Sequence, residues 1–171
     1  MKRLVTLSIS LMAIFVLLTI TVAQQEVKKE EAKPSSSMHI MLTTNDLKWT
    51  EPASLPPGAK LAVLEGDPNA PGPFTMRVKL PANYKIPAHW HPVDEHVTVL
   101  SGTFNMGMGD KLDEKTSQEL PRGSFVVMPA KTHHFAWTKA ETIVQLHGIG
   151  PWGINYINPA DDPRLKKGAS K

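Results

Sequence analysis

The chain has 171 residues, 41% of them hydrophobic, with 19 Lys and Arg against 16 Asp and Glu, a formal charge of +3, and no cysteine. That length accommodates one domain of ordinary size plus extensions. The missing thiol excludes disulfides, thiolate metal ligands, a cysteine nucleophile and an N-terminal lipid-modified cysteine.

Met1-Lys2-Arg3 precede an apolar run from Leu4 to Val22, and Thr21-Val22-Ala23 offers a small-residue cleavage site before Gln24. Residues 1–23 are therefore expected to be an export signal peptide. The apolar stretch is long for a signal, so an uncleaved N-terminal membrane anchor is the alternative, and it is the one membrane association expected. Either way the domain is expected outside the cytoplasm, periplasmic or secreted. Loss of Lys2 and Arg3 with the signal takes the formal charge from +3 to +1. With no basic stripe bearing interleaved aromatics, nucleic acid is not an expected partner.

Residues 24–38 carry a Lys-Lys-Glu-Glu run and Pro34-Ser35-Ser36-Ser37, a composition that cannot bury a core and reads as a disordered tether. The segment from Met38 to Pro57 reads as an irregular arm, packed on the domain or on a second subunit, with Trp49 as a packing anchor. The domain is expected over 39–160, followed by a polar tail at 161–171.

Strand signals recur at short intervals from there: Leu61 to Glu65, Phe74 to Leu80, Glu95 to Leu100, Thr103 to Met108, Ser124 to Met128, His134 to Thr138, Thr142 to His147 and Ile154 to Ile157. Turn residues separate them, as in Gly66-Asp67-Pro68-Asn69 and Gly148-Ile149-Gly150-Pro151. No long 3.6-period segment appears. The pattern predicts an all-β, antiparallel sandwich or barrel. Lys111 to Gln118 is expected to be a surface loop, and Phe104, Met106 and Met108 to be core. Tyr84, Trp90 and Trp137 are expected either to wall a pocket or to serve ordinary packing.

The chemistry concentrates between residues 89 and 147, where six of the seven histidines fall. His89 and His91 are two apart in an extended segment, so both rings face one side and Trp90 the other. Glu95 lies at the mouth of the next strand, and His133-His134 follow a strand and a proline turn. Neutral imidazoles with a carboxylate suit Fe, Mn, Cu, Zn or Ni. Metal occupancy is expected to fall below roughly pH 6, because ligation requires neutral imidazoles. On the strand from Thr142, Gln145 and His147 share a face. If it lines the barrel they are candidate catalytic groups that orient substrate or relay a proton, and otherwise they form an outward polar face.

These segments resemble the two motifs of the cupin superfamily. The first, G-x5-H-x-H-x3-E-x6-G, is matched by Asn83, His89, His91, Glu95 and Gly102, with asparagine for the first glycine. The second, G-x5-P-x-G-x2-H-x3-N, is matched by Gly123, Pro129 and His134, with Lys131 for the central glycine and Thr138 for the asparagine. Asparagine tolerates a left-handed backbone, whereas a lysine held at positive φ costs on the order of 1 kcal/mol.

The resemblance implies an antiparallel double-stranded β-helix, the jelly-roll or cupin barrel. It implies one divalent metal ion per chain, held by His89, His91, Glu95 and His134, with His133 as the alternative to His134 if the Lys131 turn is rebuilt. Three imidazoles and one carboxylate leave coordination positions open, as a catalytic metal requires. The expected function is an exported mononuclear oxygenase or oxidoreductase acting on a small organic molecule. A non-catalytic metal- or ligand-binding sensor or carrier, and a metal-dependent decarboxylase, lyase or isomerase, are the alternatives. Many cupins are dimers, and a homodimer is expected.

Overall fold

The computed structural model describes residues 39–166. The expected signal at 1–23, the tether at 24–38 and the end of the tail at 167–171 lie outside the described residues. Ten strands follow in chain order: β1 (Lys60–Glu65), β2 (Gly72–Leu80), β3 (Lys85–Trp90), β4 (Glu95–Ser101), β5 (Thr103–Met108), β6 (Gln118–Pro121), β7 (Phe125–Met128), β8 (His134–Trp137), β9 (Thr142–Gly150) and β10 (Asn155–Tyr156). Short 3-10 turns at Thr44–Asp46, Glu114–Thr116 and Pro159–Asp161 and one four-residue α-helix, α1 (Pro163–Lys166), complete the described elements. None of the described helices is long and apolar enough to cross a membrane.

All strand pairs are antiparallel. They form two five-stranded sheets, ordered β1-β2-β9-β4-β7 and β10-β3-β8-β5-β6. This is the jelly roll. Period-two alternation sets the inner faces. On the first sheet Phe74, Met76, Val78 and Leu80 alternate with polar or half-exposed residues, as do Val97 and Val99, and Val144 and Leu146. The second sheet answers with Ile86, Phe104, Met106 and Ala136 in the same core. Burying each large side chain contributes about 1.5–3 kcal/mol.

Eight strands fall within a few residues of the expected spans. β6 gives no strand signal in the sequence, being Gln-Glu-Leu-Pro, mostly exposed and paired with β5. The expected loop at Lys111 to Gln118 contains the Glu114–Thr116 turn, whose end is capped by the Asp113 carboxylate accepting from the Lys115 amide. Met108, expected in the core, is 58% exposed, because β5 ends there and turns it out.

The N-terminal arm packs on its own domain. Thr50 and Leu61 exchange backbone hydrogen bonds of 2.9 and 2.8 Å, and Leu55 enters the core. Tyr84 Oη donates to the Pro56 carbonyl, and Tyr156 Oη to the Ser54 carbonyl at 2.8 Å. The Lys79 ammonium sits 5.0 Å from the centre of the Trp49 ring.

Candidate metal centre

Three elements and two turns assemble the site. His89 is on β3, whose pairing with β8 is irregular between Ile86 and His89, so that His89 lies opposite His134. One extra residue there re-aims every side chain beyond it, which is how a bulge places a functional group. His91 lies just past β3, Glu95 opens β4 and His134 opens β8.

The two substituted glycine positions of the motifs lie in separate turns, Asn83 in the one before β3 and Lys131 in the one before β8. Asn83 has φ 57° and Lys131 φ 63°, so both keep the left-handed backbone. The Lys131 turn is therefore preserved, not rebuilt. Its amide donates to the His91 carbonyl at 2.8 Å, and the amide of Thr132 donates back to Pro129. The Asp94 carboxylate accepts from the Ala130 amide at 2.8 Å, binding the first motif to the second.

His89, His91 and His134 are all buried, and each offers a ring nitrogen within 4.8 Å of the others. Their Nδ1 atoms are held by backbone carbonyls: Pro87 at 2.7 Å, Gly153 at 2.7 Å and Thr132 at 3.0 Å. A carbonyl only accepts, so each neutral ring carries its proton on Nδ1 and presents a bare Nε2 lone pair. Glu95 stands beside them, its Oε1 3.4 Å from His91 Nε2 and its Oε2 3.9 Å from His134 Nε2. His91 Nε2 is buried without a hydrogen-bond partner.

Burial drives the titration of the cluster. It lowers His91 to about 4, against a raising contribution from the Gly153 carbonyl. It also lowers His89, reinforced by His134 and His91, and it lowers His134, where Glu95 pulls the other way. Desolvation pushes Glu95 up to about 7, with His134 and the Trp152 indole opposing. The imidazoles are thus neutral at pH 7, and a buried carboxylate lacks a compensating charge. A divalent cation reverses that penalty, so the donor set fits a metal ion.

The four side chains line a cavity of about 50 Å³, otherwise walled almost entirely by apolar residues of the barrel such as Val78, Ile86, Phe104, Met106 and Leu146. The other candidates lie elsewhere. His133 faces outward, with its Nδ1 2.6 Å from Asp110 Oδ1 and its side chain 43% exposed. Gln145 and His147 do not reach the cavity, because β9 turns Val144 and Leu146 inward and these two to the outer face. There Gln145 accepts from Arg77 Nε at 3.1 Å, and His147 stacks on His96 at 4.9 Å. Tyr84, Trp90 and Trp137 likewise are absent from its lining.

One contributor escaped the sequence reading. Trp152 lies against His91 with ring centres 4.6 Å apart and planes at 21°. The Gly148-Ile149-Gly150-Pro151 turn signal points to a chain reversal here, but nothing local indicates which aromatic will land on a histidine 61 positions upstream.

Comparison with known proteins adds the following. No curated protein matches the chain. Among solved structures it is similar to the polyketide cyclase RemF from Streptomyces resistomycificus, with 17% identity and a TM-score of 0.60 over 77% of this chain and 94% of that one. It is similar to an RmlC-like cupin from Shewanella frigidimarina, with 14% identity and a TM-score of 0.52 over 64% and 89%. It is also similar to KdgF from a Halomonas species, with 16% identity and a TM-score of 0.51 over 66% and 96%. At such identities these likenesses speak for the fold alone. The model of the ChrR cupin-like domain matches residues 37–152. That match spans both motifs and most of the barrel, and the chain belongs to the ChrR cupin-like family.

Proposed function

We propose that the chain is an exported, mononuclear metal-dependent cupin acting as an oxygenase-type oxidoreductase on a small organic molecule, as a periplasmic or secreted homodimer. The observation that carries this reading is the clustering of three acceptor-only nitrogens and one carboxylate on the lining of an apolar cavity. His89, His91, Glu95 and His134 would hold the ion. A redox-active divalent metal held there supplies Lewis acidity and electron transfer to a bound substrate.

The chain's own residues do the rest. The carbonyls of Pro87, Thr132 and Gly153 fix the tautomer and orientation of the rings. Glu95 supplies the anionic oxygen. The apolar walls exclude water and confine the ligand to a small, mainly hydrocarbon body with an oxygen atom at the metal end. Elemental analysis of the full chain tests the reading, followed by substrate-dependent oxygen uptake. About one equivalent of Fe or Cu per chain with oxygen consumption supports it, whereas turnover without oxygen moves the assignment to a lyase or isomerase.

A second reading rests on the cavity itself. Apart from the four clustered side chains, Ser54 is its one residue with a polar side chain outside the Trp152 indole. Among the described residues, no further acid or base lines the cavity. A metal- or ligand-binding sensor or carrier needs none, and stoichiometric metal without turnover of any kind would favour it.

A further inference from the structure

We infer that the strap from Gly150 to Ile154 is a positioning element for the metal centre, in which Trp152 and Gly153 fix the His91 ring from two sides and Arg164 pins the strap from the C-terminal turn. This rests on the reading of His91 as a ligand. Successive residues of the strap make separate contacts that converge on one imidazole. Gly153 accepts the His91 Nδ1 proton at 2.7 Å, which sets the tautomer and aims Nε2. Trp152 covers the ring face at 4.6 Å and is itself backed by Phe74 at 6.2 Å. The Trp152 indole also lines the cavity together with Glu95, whose carboxyl it holds down against desolvation.

The strap is staked at its middle and at its C-terminal end by groups that do not line the cavity. The Trp152 amide donates to the Pro68 carbonyl at 2.6 Å. Arg164 Nη2 donates to the Ile154 carbonyl at 3.0 Å. Its guanidinium is in turn held by Asp162 through contacts of 2.8 and 2.7 Å. Gly153, Ile154 and Arg164 lie beyond the stretch that matches the family model, which ends at residue 152. Orientation of one ligand is thus assigned to a C-terminal feature of this chain. A ring that must be held in one rotamer and one tautomer loses metal affinity when its outer partners are removed, by about 10–100-fold in metalloprotein sites.

The test uses the full chain loaded with Co2+, whose visible absorption reports ligand geometry, together with competition against a chelator. Trp152→Ala is expected to lower Co2+ affinity about tenfold or more and to shift the absorption bands, and Trp152→Phe to restore most of both. Arg164→Ala, at a half-exposed side chain, is expected to shift the bands in the same direction by less. Co2+ should also quench tryptophan emission in the parent chain and much less in Trp152→Phe. Unchanged affinity and spectrum in both Trp152→Ala and Arg164→Ala would overturn the inference while leaving the metal centre standing. Failure of the parent chain to bind Co2+ would instead overturn the reading on which it rests. Should Trp152→Ala not fold, Trp152→Leu and Arg164→Ala, judged by the same spectrum, decide the matter.

Discussion

Each imidazole of the centre is a donor on its outer edge and a bare acceptor on its inner edge, and that asymmetry was only partly written in the sequence. The two-residue spacing of His89 and His91 is legible, because strand alternation puts both on one side. The partners of their outer nitrogens are not, since a backbone carbonyl leaves no trace in residue identity. His91→Ala or Glu95→Ala is expected to abolish tight metal binding, and His133→Ala, whose ring pairs with Asp110 on the surface, to leave it intact; metal content after dialysis distinguishes these. The metal-free protein carries its own pH signature. His91 is near 4 when folded against 6.5 when unfolded. As pH falls from 6.5 toward 4 the unfolded chain takes up that proton first and stability is lost. Glu95 acts oppositely: its folded value of about 7 exceeds 4.5, so its protonation adds stability as pH falls between them. Urea unfolding with chelator present should therefore show stability declining below pH 6.5, as three lowered histidines outweigh one raised carboxyl. The decline should be steeper in Glu95→Gln, and an identical slope would refute this account.

At the scale of strands and turns, the apolar alternation of β2, β4 and β9 announces which face is buried, and their expected spans agree with the structure to within a few residues. Bulges and short polar edges do not announce themselves: the irregularity that sets His89 opposite His134 depends on pairing with β8, and β6 exists only because β5 offers it an edge. The motif glycine at 102 shows why a turn residue can be read from sequence while its reason cannot. Its φ is +74°, and an added Cβ would come within 2.5 Å of the Glu141 carbonyl and of Thr142 Oγ1. Gly102→Ala is expected to cost about 1–2 kcal/mol from the backbone conformation alone, with the clash adding to it, measured as a lowered denaturation midpoint. Lys131 meets the same conformational demand without glycine's freedom, and its turn survives because Pro129, Asp94 and His91 all bond to it.

For the molecule as a whole, an ion held at the centre would be linked to the fold. A ligand at one hundred times its dissociation constant adds about 2.7 kcal/mol to stability. Thermal unfolding with and without chelator should differ by several degrees in the parent chain and not at all in His91→Ala. The cavity, placed between the sheets and not on a loop surface, makes the centre depend on global closure of the barrel. That is why family membership was accessible from two short motifs while substrate identity was not: the walls come from residues scattered from Ser54 to Ile154.

The order of the first sheet bears on how the chain comes to be made. β9 lies at its centre, between β2 and β4, yet β2 is complete by Leu80 and β9 does not begin until Thr142. A nascent chain emerging from the ribosome or a translocation channel cannot finish this sheet until its last long strand has appeared. It must wait with two open edges. Such non-local closure folds slowly. A chain ended at Glu141 is expected to aggregate through the unpaired edges of β2 and β4, and its recovery as soluble monomer would show that the centre strand is dispensable.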